Sequence, residues 1–141
     1  QRADPTWVAS ALRAMGRSHD ERWNEDVVSM LLNDDPRIRF AAVEAAGELA
    51  IEDAGPIMLQ MLEEEEEEDD VIAAAIWSLS QIGGDDARIY LLNLLEQTED
   101  EALIEFLEDA LENLDFTDEL NKFDLLSLDE DDDLDELDED E

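Results

Sequence analysis

The chain has 141 residues and a formal net charge of −36, from 44 Asp and Glu against 8 Lys and Arg. Such a field repels phosphate and anionic lipid, which argues against nucleic-acid and membrane-surface binding and favours a cationic protein or peptide. With no cysteine, disulfides and thiolate chemistry are excluded, and no apolar run reaches bilayer length.

The acidity is graded. Residues 1–62 carry 11 acids against 6 bases, residues 63–116 carry 19 against 1, and residues 117–141 carry 14 against 1. Two readings stand beside each other: the charge selects a basic partner, or it keeps the chain dissolved. The length suits one domain with a real core. The chain opens on Gln1 rather than Met, which raises the expectation of further repeats upstream, and the lack of cysteine suits a reducing, cytoplasmic setting.

In chain order, the first helix is expected from Asp4, with Pro5 at its first position and Trp7, Ala11, Leu12, Met15 and Gly16 following. Ser18 with Glu21 has capping-box spacing, and Trp23 is placed to staple onto Val28 around an Asn24 cap. The best-specified stretch is Asp35–Ala50. Asp35 can accept from the first-turn amides, and Pro36 gives up an N–H that would have no helical partner. Ile38, Ala42, Val43, Ala46 and Leu49 fall on one face at helical spacing, with Phe40, Glu44 and Gly47 pointing the other way.

This helix recurs. Asp4, Pro5, Trp7, Ala11, Leu12, Met15 and Gly16 precede their counterparts by 31 positions, so Trp7 is expected in the core with Ile38. Val71, Ala75, Ile76, Leu79 and Ile82 follow at 33, and Leu103, Leu107, Leu111 and Leu114 at a further 32. Between the copies lies a second pattern: Val27, Val28 and Leu31, then Met58, Leu59 and Leu62, then Leu91, Leu92 and Leu95. Gly55 with Pro56 opens one of these helices, Gly83 with Gly84 closes a first helix, and Thr98 with Glu101 offers another capping box. Strand alternation is absent. A helix pair repeating every 31–33 residues defines an all-α solenoid over residues 1–116.

Glu63–Asp70 is a run of eight acids without the alternating spacing or central glycine of an EF-hand loop, and is read as a solvated inter-repeat loop. Residues 117–128 are expected to form a short capping segment through Leu120, Phe123 and Leu126. Residues 129–141, acids interrupted only by Leu134 and Leu137, are read as a flexible or transiently helical tail. That tail either captures a basic partner, folds back on Arg13, Arg17, Arg37 and Arg39, or solubilises the chain.

The residues DPRIR at Asp35–Arg39, followed by Ala41, Ala42, Ala45, Ala46 and Gly47, resemble the signature of HEAT-like repeats, in particular the short type also found in phycobilisome bilin lyases. The resemblance covers residues 4–114. It implies a right-handed α-α superhelix in which the second helix of each pair lines a concave surface used for protein binding. The signature Arg occurs only at Arg39, its counterparts being Val8, Ile72 and Ile104, so charge stitching between repeats is expected to be minor and packing dominant.

Catalytic signals are lacking. His19 is the lone histidine, so neither an iron site of paired His and carboxylate nor a triad can assemble, and there is no glycine-rich phosphate loop. No enzyme activity, cofactor or metal is expected, with a bilin-lyase activity kept as an alternative by family association. The other alternative is an acidic chaperone or nucleic-acid mimic for basic proteins.

In the register above, the polar face of the second helices carries Ser29, Gln60 and Asn93 in one row, Asn33, Glu64 and Gln97 in another, and Asp26, Ile57 and Tyr90 in a third. This predicts an amide-rich groove with an apolar end at Ile57 and Tyr90, suited to a peptide. On the first helices, Trp77 stands where Arg13, Glu44 and Asp109 stand in other copies, and Phe40 lies one turn before Glu44. Either Phe40 and Trp77 form an outer aromatic patch, or Trp77 folds flat over the neighbouring repeat or under the tail leucines.

Overall fold

Helices begin where Asp or proline meets an apolar register. The computed structural model describes residues 4–64 and 67–139, with residues 124–139 described by their backbone. Seven α-helices follow one another: α1 (Pro5–Ser18), α2 (Asn24–Met30), α3 (Pro36–Glu48), α4 (Ala54–Glu63), α5 (Asp69–Ile82), α6 (Asp85–Gln97) and α7 (Glu101–Glu139). Asp4 accepts from the Thr6 N–H at 2.9 Å and Asp35 from the Arg37 N–H at 2.9 Å, each just ahead of a proline in the first turn. Gly83 and Gly84, at φ +85° and +106°, form the whole connection between α5 and α6.

Two local starts differ from the sequence reading. Asp20, not Asn24, takes the first free amide before α2, accepting from the Arg22 N–H at 3.0 Å and opening a 3-10 turn over Glu21–Trp23 that runs into α2. Ser18 serves that turn by accepting from the Asp20 N–H, while Arg22 stacks over the Trp23 ring. Before α7, Asp100 accepts from the Ala102 N–H at 3.0 Å, and Thr98 accepts only from Asp100. In both places an aspartate carboxylate two residues before a first-turn N–H takes it, a charged acceptor at the positive end of the turn.

The odd-numbered helices form one layer in the order α1, α3, α5, α7, and α2, α4 and α6 each pack on the first-layer helix that follows them. The first layer is drawn together by small residues. A Cβ on Gly16 would stand 2.9 Å from Ala45 Cα, and one on Gly47 would stand 2.9 Å from Ser78 Cα. Gly47 is therefore buried between α3 and α5 rather than turned outward: a helix flanked on both sides and backed by α2 buries far more than one stripe. The hydroxyl of Ser78 donates to the Val43 carbonyl at 2.7 Å across the same contact, so this buried polar group is satisfied.

Trp7 is the clearest departure, 67% exposed where Ile38 is 6% exposed. Ile38 lies on a helix with first-layer neighbours on both sides, whereas α1 has one, α3, among the described residues. Identical register buries a side chain only where the stack supplies a second wall.

The C-terminal region also differs from expectation. No break occurs near residue 116, and α7 runs unbroken through the proposed capping segment and most of the proposed flexible tail to Glu139; residues 140–141 lie outside the described residues. The chain has no glycine or proline after Gly84, so nothing local stops the helix. Tertiary bonds reach past residue 116 as well. Thr117 donates to the Ser80 carbonyl at 2.8 Å, Asp118 accepts from the Gly84 N–H at 3.1 Å, and Arg88 bridges to both Asp115 and Asp118.

Candidate partner-binding groove

The acidic run before α5 is not wholly a solvated loop. Glu67, whose side chain is 7% exposed, accepts from the Arg39 guanidinium at 3.0 and 2.8 Å, and Arg39 also donates to the carbonyls of Asn33 and Asp34. Burial pushes the Glu67 carboxyl up, but the Arg39 hydrogen bonds and charge, with the Glu68 N–H, outweigh it and hold the group below the usual range. Charge does stitch the repeats here, at the one place where the signature arginine survives. Residues 65–66 of the run lie outside the described residues.

Beside this stitch, α3, α5 and α7 enclose an open groove of about 490 Å³. Its floor is low because Ala73 and Ala74 are small. Its walls are aromatic: Phe40 from α3, Trp77 from α5 and Phe106 from α7. The Trp77 and Phe106 rings lie 6.3 Å apart at 37°, so Trp77 leans on the next first-layer helix while staying 39% exposed. Phe40 and Trp77, which the repeat register marked as out of place, line the same groove.

Glu44, Glu48 and Asp70 form the rim. Burial raises the Glu44 carboxyl above its ordinary value; the charges of Arg13 and Arg17 pull it down and that of Glu48 pushes it up, leaving the net shift upward. A cation seated here would meet carboxylates around exposed aromatic faces, an arrangement that suits Arg or Lys. A second concavity adjoins the first, sharing Trp77 and Phe106 and adding Asp109, Glu112, Asn113 and Phe116.

The second-helix face is less uniform than its rows suggest. Ser29, Gln60, Asn93 and Gln97 are exposed. Asn33 lies in the turn before α3, where its side chain accepts from the Asp35 N–H at 2.9 Å and is occupied as a local cap. Ile57 packs against the main core, and Tyr90 packs into a second cluster around Leu91 and Leu107 while its hydroxyl donates to the Leu62 carbonyl at 3.3 Å. The apolar end predicted for that face is thus spent on holding α4 and α6 in place. Sequence reading missed Phe106, whose copies in the repeat register are Ser10, Ala41 and Ala74; only its contact with Trp77 marks it.

Seven helices in two layers, stacked through repeated glycine and alanine contacts, define an α-solenoid. A family model described as HEAT repeats matches residues 1–70, and one described as PBS lyase HEAT-like repeat matches residues 71–97. The chain belongs to the HEAT-like repeat proteins. A comparison with curated proteins gave no match. Among the described residues, no helix is long and apolar enough to cross a membrane, and no three His, Asp or Glu side chains converge to hold a metal ion.

Proposed function

We propose that this chain is a non-enzymatic interaction scaffold that takes a cationic protein or peptide against its first-layer helices. The observation that carries the reading is the acid-rimmed aromatic groove: Trp77 paired with Phe106 and facing Phe40, between Glu44, Glu48 and Asp70. Aromatics of this kind anchor interfaces once a partner covers them, and the rim carboxylates select the sign of what enters. The exposed hydroxyl of Ser29 and the exposed amides of Gln60, Asn93 and Gln97 serve, in this reading, as a secondary polar surface on the opposite layer.

The test is titration of the intact chain with a Trp-free peptide of Lys, Arg and Leu, read by calorimetry. Trp77→Ala should weaken binding by tenfold or more, and Glu44→Gln with Glu48→Gln should weaken it further and flatten its salt dependence. Unchanged affinity in both variants would sink the groove. Burial of Glu44 adds a pH signature: its carboxyl gains a proton first as pH falls, so affinity should begin to drop above the ordinary glutamate range.

A second reading follows from the match of residues 71–97 to a repeat named for lyases. A lyase-type component would bind a tetrapyrrole and give a new visible absorbance band on titration. A flat spectrum removes it.

A further inference from the structure

Beyond the groove, α7 continues with an apolar strip that nothing in the described chain covers. Phe116 is 59% exposed, Leu120 47% and Phe123 65%, spaced four and three residues apart. That spacing is the seam of a two-helix coiled coil. The same helix is pinned beside and behind the strip: Asn113 donates to the Ser80 hydroxyl at 2.9 Å and Thr117 to the Ser80 carbonyl along one edge, and Asp118 on the far side is held by Gly84 and Arg88. The strip is therefore presented outward in a fixed rotation, and does not close on the body by rolling the helix.

Exposed carboxylates flank it, with Asp109 one heptad before Phe116, and Glu112 and Glu119 along one edge. We infer that this strip is the docking site for one basic amphipathic helix of a partner protein, which packs apolar residues on Phe116, Leu120 and Phe123 and sets Lys or Arg against the flanking carboxylates. The inference rests on the proposed function only for the sign of the partner's charge.

Charge complementarity excludes the obvious rival, a second copy of this chain, whose strip would bring the same acids edge to edge. Area argues in the same direction. At 47–65% exposure these three side chains offer roughly 300 Å², short of the roughly 800 Å² per partner that a stable interface needs. The remainder lies within reach, since Phe116 also lines the concavity that opens onto Trp77 and Phe106. One helix laid on the strip continues into the groove.

The experiment uses the full chain and three labelled peptides of four heptads, read by fluorescence anisotropy at low and high salt. One carries Leu at the seam positions and Lys or Arg on the flanks, the second has the same residues in scrambled order, and the third has Glu on the flanks. The first should bind and the other two should not. The paired variant Phe116→Ser with Phe123→Ser, both side chains being exposed, should weaken the first at least tenfold with an unchanged circular dichroism spectrum.

Equal binding of the scrambled peptide, or unchanged affinity in the paired variant, overturns the inference. So does sedimentation showing a dimer of the wild-type chain that this variant makes monomeric, which would assign the strip to a second copy. Loss of affinity in Trp77→Ala without loss in the paired variant overturns the strip and keeps the groove; the reverse pattern overturns the groove and keeps the strip.

Discussion

Gly47 and Gly55 are both helical glycines, yet their neighbours give them opposite roles. A Cβ on Gly47 would meet Gln81 Oε1 at 2.3 Å, Ser78 Oγ at 2.7 Å and the Ser78 backbone at 2.9 Å, and only the Gln81 end can swing away. Gly47→Ala should cost about 1–3 kcal/mol by pushing α3 and α5 apart. At Gly55 an added methyl meets nothing within 4 Å, so Gly55→Ala should stabilise by about 0.4–1 kcal/mol through the unfolded chain. Urea melts of the two variants check both signs. The Arg39 pair gives a pH prediction. Glu67 titrates below its unfolded value, so its contribution to stability is complete above the ordinary glutamate range and is lost as pH falls through the lower folded value. In Glu67→Gln that part of the acid dependence should vanish, and neutral-pH stability should drop by about 1–3 kcal/mol because the Arg39 guanidinium loses its charged acceptor.

Among elements, α7 carries two different jobs. Leu107, Ala110 and Leu114 are fully buried against Ile76 and Leu91, whereas beyond Phe123 the helix runs on through residues 124–139, ten of which are acids. Pairs such as Asp129 with Asp133 and Asp132 with Glu136 are four residues apart and repel. Helicity of this stretch should rise when salt screens the charges. The difference in helical signal between the full chain and one ended after Phe123 should grow between low salt and about one Debye length of 3 Å, reached near 1 M; a constant difference would show that repulsion is not what limits it. At α5, Ser80 stands where α3 has Gly47 and α1 has Gly16 in the repeat register. The third contact of the layer is thus hydrogen-bonded through Asn113 and Thr117 rather than close-packed on glycine.

At the scale of the whole molecule, 36 net negative charges repel one another in the compact state. The melting temperature should therefore rise with moderate salt while affinity for a basic partner falls, and measuring both on one sample separates fold electrostatics from binding electrostatics. A melting temperature independent of salt would mean that the acids are spaced widely enough to be individually solvated. The charge is carried mostly from Glu63 onward, so the groove and the strip on α7 lie in the stronger part of the field.

The sequence by itself determined the all-α repeat, its 31–33-residue period, the helix starts at Asp4 and Asp35 and the break at Gly83, because these depend on spacing and on backbone chemistry within a turn. It also singled out Phe40 and Trp77, since a repeat supplies its own reference. Only the tertiary structure decided that Trp7 is exposed, that Gly47 is buried, that Ile57 and Tyr90 are spent on packing, and that Phe106 completes the groove. Each of those depends on which neighbouring helix stands beside the residue, and a period along the chain does not state which walls the stack supplies.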